Sequence, residues 1–255
     1  MYKFIDLSVS HHNGATEPFG PKIEHSDHAA GAYRLAKMAG IEPTDFPDTM
    51  ALATDYITGS AHAGTHIDAP FHYGPLSEGK PAKTVDEIPL EWCFGPGVVL
   101  DMRHKEPGAE ITIADMEQAL AKINYSLKPG DIVLIHTGCD QYWGTTTEKY
   151  LAMQSGLGVT GLDWLLDKGI RCIGIDAWTL DRPVNAMVAA YKKTKDQNEL
   201  WPTHIHGRKR EYLQIEKLAN LDKLPKPFGF MVTALPVKFE GCTAGWCRAA
   251  AIFEE

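Results

Sequence analysis

The run SAHAGTHIDAPFHYG places His62, His66, Asp68 and His72 within eleven residues, in a chain that has only 11 histidines over its 255 positions. Neutral imidazole and ionised carboxylate are the ligand types expected for zinc or manganese, and a catalytic site uses few protein ligands so that water keeps a coordination position. His62, His66 and Asp68 offer that mixture. An ion held this way lowers the pKa of water to about 7 and polarises a carbonyl, so it supplies a nucleophile without an activated serine or cysteine. The competing reading, histidines that merely hydrogen-bond in a polar loop, suits a single histidine better than a cluster. The chain has no G-x-S-x-G elbow, no P-loop and no G-x-G-x-x-G after a strand, so serine hydrolase, nucleotide and dinucleotide chemistry lack their motifs. Hydrolysis at a divalent metal is what remains.

The His-x3-His-x-Asp spacing would put both histidines on one helix face, but Gly64, Thr65 and Pro70 speak against a helix. A turn running into an extended segment is expected. There His66 and Asp68 point the same way by strand alternation, while Gly64 lets the backbone fold close to an ion.

The elements that must position this segment follow from short Val- and Ile-rich runs at 98–101, 132–136, 172–176 and 228–233, each bounded by Gly or Pro, as buried strands are. Helical patterns occupy 112–122, where Thr112 and Asp115 resemble a helix start, 160–168, which ends at Gly169, and 211–218. The Pro- and Gly-rich stretch 71–83 reads as a surface loop, and residues 1–50, with weak periodicity, as an irregular arm over the pocket or a subunit interface.

A chain of this length, 44% hydrophobic, can bury one sizeable core, so a single domain over 1–255 is expected. The net charge of -8 disfavours a nucleic-acid partner. No run of about 18 apolar residues suggests a membrane span, and no leader pattern opens the chain, so a cytoplasmic protein is expected. Cys93, Cys139, Cys172, Cys242 and Cys247 are odd in number and form no CxxC pair, which reads as reduced and mostly buried thiols.

His62-Ala63-Gly64-Thr65-His66-Ile67-Asp68-Ala69-Pro70, followed by His72, resembles the HxGTHxDxPxH signature of the cyclase-like metal hydrolases, the family of bacterial kynurenine formamidase and isatin hydrolase. Gly174-Ile175-Asp176, the 215–221 run and the segment from Leu235 to Arg248 resemble further landmarks in the same order. The resemblance implies an α/β fold of the swivelling β/β/α type with a mixed sheet and flanking helices. It implies a metal site of His62, His66, Asp68, His204 and Glu216, holding two zinc or manganese ions. His204 ranks above His206 because it keeps the family's spacing to Glu216. The resemblance also implies that His72 is the acid and base, with Glu216 counted beside it among the catalytic residues, and that the chain forms a homodimer or homotetramer. Asp176 is a possible supporting residue, equally readable as a turn residue.

The chain departs from the family pattern after Asp176: it reads Ala177-Trp178-Thr179-Leu180-Asp181-Arg182-Pro183 and then inserts a longer segment before His204. Trp178, Trp201 and Phe71 could wall an aromatic small-molecule substrate, although aromatic side chains are more often core. The expected reaction is hydrolysis of a carbon-nitrogen bond in a small cyclic or aryl amide. A lactone hydrolase, a non-catalytic metal- or ligand-binding protein, and a lyase acting through an enolate are the alternatives.

Overall fold

The computed structural model describes residues 1–254. Nine strands build one mixed sheet: β1 (Tyr2–Asp6), β2 (His66–Asp68), β3 (Phe94–Asp101), β4 (Ile132–His136), β5 (Cys172–Ile175), β6 (Leu213–Glu216), β7 (Phe228–Thr233), β8 (Ala244–Trp246) and β9 (Ala250–Glu254). Their order is β1-β9-β7-β3-β4-β5-β6-β2-β8. β3, β4, β5 and β6 run parallel, and the strands outside them pair antiparallel. Seven helices accompany the sheet: α1 (His28–Ala39), α2 (Pro70–Tyr73), α3 (Ile113–Lys122), α4 (Thr147–Tyr150), α5 (Val159–Asp167), α6 (Val184–Thr194) and α7 (Pro202–His206).

Every residue of β4 and β5 is buried, because interior parallel strands are covered on both faces. Val133, Ile135, Ile173 and Ile175 pack with Met116 and Leu120 of α3 and with Leu162 and Leu165 of α5. The alternate residues, Ile132, Leu134 and Cys172, face a second apolar layer with Ile67, Ile215, Phe230 and Val232. Two of the continuous apolar runs of the sequence, 132–136 and 172–176, are thus strands buried on both sides, whereas the 228–233 run buries only alternate residues. α3 begins where expected, with Thr112 and Asp115 forming a reciprocal capping box. Four of the five cysteines are buried and all are free.

Three sequence-based expectations are corrected. Residues 211–218 contain strand β6 and no helix, since Leu213-Gln214-Ile215-Glu216 alternates apolar and polar with the period of a strand. The 71–83 stretch is less loop-like than expected: it starts inside α2 and carries a small antiparallel pair, Leu76–Ser77 with Lys80–Pro81. Residues 1–50 are not an irregular arm throughout. β1 is an edge strand of the main sheet, Lys22–Ser26 pairs with Thr54–Thr58, and α1 is capped by Asp27 and stopped by Gly40 at φ 70°. α1 buries only Gly31, Ala32 and Ala36, and such small side chains leave little apolar periodicity to read.

Candidate metal and active site

Sheet register assembles the site from residues far apart in sequence. β2 lies between β6 and β8, with His66 opposite both Glu216 and Trp246. His66 and Asp68 are two residues apart on one strand and therefore share a face, as the sequence suggested. His204 arrives from the short helix α7.

The polar atoms of these residues converge. His62 Nδ1 lies 2.8 Å and His66 Nε2 3.1 Å from Asp68 Oδ1. His204 Nε2 stands 3.6 Å from Asp68 Oδ2 and 3.5 Å from Glu216 Oε1, and the other Glu216 oxygen is 3.6 Å from His66 Nε2. The approaches to Asp68 lack hydrogen-bond geometry: both its oxygens are buried with no hydrogen-bond partner among the described residues.

Each imidazole is held by its other nitrogen. His66 Nδ1 is 2.8 Å from the Gly64 carbonyl and His62 Nε2 is 2.9 Å from the Thr243 hydroxyl. His204 Nδ1 is 2.6 Å from Asp181 Oδ2. The carbonyl and the carboxylate can only accept, so His66 and His204 donate from Nδ1 and turn the Nε2 lone pair inward. This is the arrangement of imidazoles that ligate a metal. An unpartnered buried carboxylate ringed by inward-facing imidazoles fits a divalent cation, and the N/O donor set suits zinc and manganese.

The electrostatics agree with crowded charge. Burial raises Glu216 to about 7, with the nearby Asp68 charge adding to the shift. Burial opposes ionisation of Asp68 too, but the surrounding imidazoles, His72 first, hold it well below the usual carboxylate range. Against desolvation, the Asp181 hydrogen bond raises His204 well above an ordinary imidazole.

His72 sits on α2, its ring centroid 4.1 Å from that of His62 and 5.5 Å from that of His204. The residue retains solvent exposure in the cleft while desolvation of its crowded ring lowers its pKa. Its nitrogen is also near enough to His62 and Asp68 to share an ion with them, so geometry permits a ligand role beside the proton-transfer role. His206 instead pairs with Asp163 at 2.8 Å, which leaves His204 as the histidine of this pair that faces the site.

A cavity of about 370 Å³ opens on these groups, lined among others by Phe19, Trp178, Trp201, His72 and Lys217. Trp178 and Trp201 line it as the sequence suggested; Phe71 does not. Asp176 supports no metal-site histidine here: its carboxylate accepts from Thr137 N, Thr137 Oγ1 and Gly138 N.

The sequence reading missed three supporting residues. Asp181, fully buried, accepts from Thr203 N and Thr203 Oγ1 as well as from His204. Its only signal was its place in the departing segment. Glu17, in the supposed arm, accepts from Gly64 N at 2.9 Å and pairs at 2.5 Å with Lys217, whose ammonium also reaches the His62 carbonyl at 2.6 Å. This buried ion pair fastens the N-terminal segment to the turn that carries His62 and Gly64, and no local pattern announces it.

Among the described residues no helix is long and apolar enough to cross a membrane. A family described as "Putative cyclase" matches residues 5–182. The isatin hydrolase of Roseibium aggregatum is 26% identical over 213 residues, covering 78% of this chain and 74% of the relative. The kynurenine formamidase of Erythrobacter litoralis is 26% identical over 193 residues, covering 76% and 74%. In fold, isatin hydrolase A from Ralstonia solanacearum superposes with a TM-score of 0.77 at 21% identity, covering 99% of this chain and 92% of that one. With the signature run inside the matched region and the sheet bringing its histidines and aspartate together, the chain belongs to this cyclase family.

Proposed function

We propose that this protein is a metal-dependent hydrolase of carbon-nitrogen bonds in small cyclic or aryl amides. The observation that carries the proposal is Asp68, whose two buried oxygens lack hydrogen-bond partners while His62, His66 and His204 present nitrogens to them. The hydrolytic relatives, an isatin hydrolase and a kynurenine formamidase, support the reaction class.

His62, His66, Asp68, His204 and Glu216 would hold zinc or manganese. Two ions per chain suit the set, because Asp68 Oδ1 faces His62 and His66 whereas Oδ2 faces His204. When bound, such ions supply activated water and charge stabilisation at a carbonyl oxygen. The chain's own residues do the rest. Phe19, Trp178 and Trp201 offer aromatic surface to a planar substrate. Gly64 O and Asp181 keep two imidazoles in one tautomer. His72, whose lowered pKa keeps it neutral near pH 7, takes a proton and returns it to the departing nitrogen, a step an amide needs because the unprotonated amine is a poor leaving group. Exposed Tyr33, Met38, Leu52, Tyr56 and Ile57 in the N-terminal region support association of copies into a homo-oligomer.

Metal analysis of saturated protein, paired with a screen of formyl-anilines, isatins, cyclic imides and lactones, tests the proposal. Two equivalents per chain, falling to one in Glu216→Gln, and chelator-sensitive turnover of an amide are expected. Turnover untouched by prolonged chelation would overturn it, and turnover of lactones alone would replace the amide by an ester.

A further inference from the structure

Lys217 directly follows the proposed ligand Glu216 at the end of β6 and is held at φ 59°, a left-handed backbone that glycine or asparagine adopts at lower cost. Its main chain is fixed on both sides: the N–H donates to the Ala177 carbonyl at 2.9 Å, and the carbonyl accepts from Thr65 Oγ1 at 2.6 Å. The side chain is only 4% exposed. A buried ammonium on a strained backbone opposes stability twice, so the groups it touches are informative.

The ammonium donates to Glu17 Oε2 at 2.5 Å and to the His62 carbonyl at 2.6 Å, while Glu17 Oε1 accepts from Gly64 N at 2.9 Å. The pair thus brackets the turn 62–64 by its main chain. One bond ends on His62 itself. The other ends on Gly64, whose carbonyl accepts from His66 Nδ1 at 2.8 Å and fixes that ring. Two of the imidazoles that approach Asp68 are therefore tied to one ion pair. His62 has the greater need of such a hold, because its side chain is 24% exposed whereas that of His66 is fully buried. The segment that carries Glu17 is anchored too: Thr16 Oγ1 accepts from Gly144 N at 2.8 Å, and Val9 N donates to Thr65 Oγ1 at 2.9 Å. A buried ion pair gains little stability over apolar side chains of similar volume. Geometry is what these bonds supply.

We infer that Glu17 and Lys217 are positioning residues for the metal ligands: the pair sets the turn that carries His62 and orients His66, and it couples docking of the N-terminal segment 9–17 to metal binding. The inference rests on the metal-dependent reading, and neither residue ligates the ion. Such coupling is reciprocal. If the docked segment tightens metal binding, bound metal tightens the docking by the same factor.

The test uses the whole chain, freed of metal and titrated with zinc against a chelator of known affinity. Glu17→Gln combined with Lys217→Met removes the pair at constant net charge, so a change in affinity reports positioning rather than charge. Zinc affinity is expected to fall roughly 10-fold, within the range lost when an outer partner of a ligand is removed. Zinc should also slow amide hydrogen exchange over residues 9–17 in wild type, and this slowing should be lost in the double variant. Melting of the metal-free proteins separates a purely structural role: a lower melting temperature with unchanged zinc affinity overturns the inference. Should the double variant fail to fold, Glu17→Asp keeps the charge and withdraws it by one methylene, and wild-type zinc affinity in that protein equally overturns it. A wild type that takes up neither zinc nor manganese would refute the metal reading and the inference with it, an outcome distinct from a loaded wild type with unaffected variants.

Discussion

His66 with Asp68 and His136 with Asp176 are both buried imidazole-carboxylate pairs at the sheet, and each belongs to a group of three residues spaced closely enough to share an ion, yet their carboxylates have opposite surroundings. Asp176 accepts three hydrogen bonds, two from backbone N–H groups of the turn after β4, and His136 Nε2 stands off at 3.8 Å. Asp68 accepts none and is approached by three imidazoles. A carboxylate already saturated by backbone donors holds a turn together; one left with bare oxygens in a dry site requires a cation, because an unpaired buried charge is expensive. Their pKa directions agree with this difference. Asp68 is held well below its ordinary value by imidazoles, whereas burial pushes Asp176 up to about 7 despite its hydrogen bonds.

The sharpest way to break this comparison is to remove each carboxylate in turn. Asp68→Ala is expected to lose metal and turnover together, down to background, while Asp176→Asn keeps the wild-type metal content. Elemental analysis decides, and a metal-depleted Asp176→Asn protein would abolish the distinction.

Next in size is His72. If it transfers the proton, His72→Ala keeps the wild-type metal content and loses roughly two to four orders of magnitude in kcat on an anilide, with a smaller deficit on an activated ester. Loss of one metal equivalent would make it a ligand, a role its distance to His62 and Asp68 allows.

Asp181 extends the comparison to a third buried carboxylate, one that works through an imidazole. Asp181→Asn is expected to weaken metal binding roughly 10- to 100-fold, the usual worth of such a partner, because an amide nitrogen facing His204 Nδ1 no longer enforces the tautomer. Metal titration against a chelator of known affinity measures it. An unchanged affinity would leave Asp181 with only its bonds to Thr203.

The smallest effect concerns stability. Asp176→Asn places an amide N–H against one of the backbone donors, at a cost of about 1–3 kcal/mol. Asp176 titrates near 7 in the fold and near 3.9 unfolded. Between those values the folded chain binds the extra proton, so the wild type loses stability as pH rises through this window. The asparagine variant lacks that titration, and its deficit should narrow from pH 4 to pH 7. Urea denaturation at several pH values reads both changes, and a constant gap would mean that Asp176 is ionised throughout.

The grouping of the proposed ligands His62, His66 and Asp68 was legible in sequence because they lie within seven residues, and a single turn and strand can aim them at one point. The strands β4 and β5 were legible because apolar runs bounded by Gly and Pro report burial on both faces, and β7 because its run is short and apolar although only Phe230 and Val232 are buried. Glu216 and His204 could be named only through resemblance, and the helix expected around Glu216 was wrong. Its two-residue alternation was short, and only pairing with β2 and β5 shows which period governs.

What the sequence by itself determined is therefore the chemistry of the candidate ligand types, their local geometry and the core strands. The tertiary structure decided which distant groups complete them. Glu216 meets His66 by strand register, Asp181 orients His204 across a tertiary turn, and Glu17 of the N-terminal segment anchors Gly64 beside Lys217. Each of these contacts joins residues whose separation along the chain carries no periodic signal, so only the folded path of the backbone brings them together.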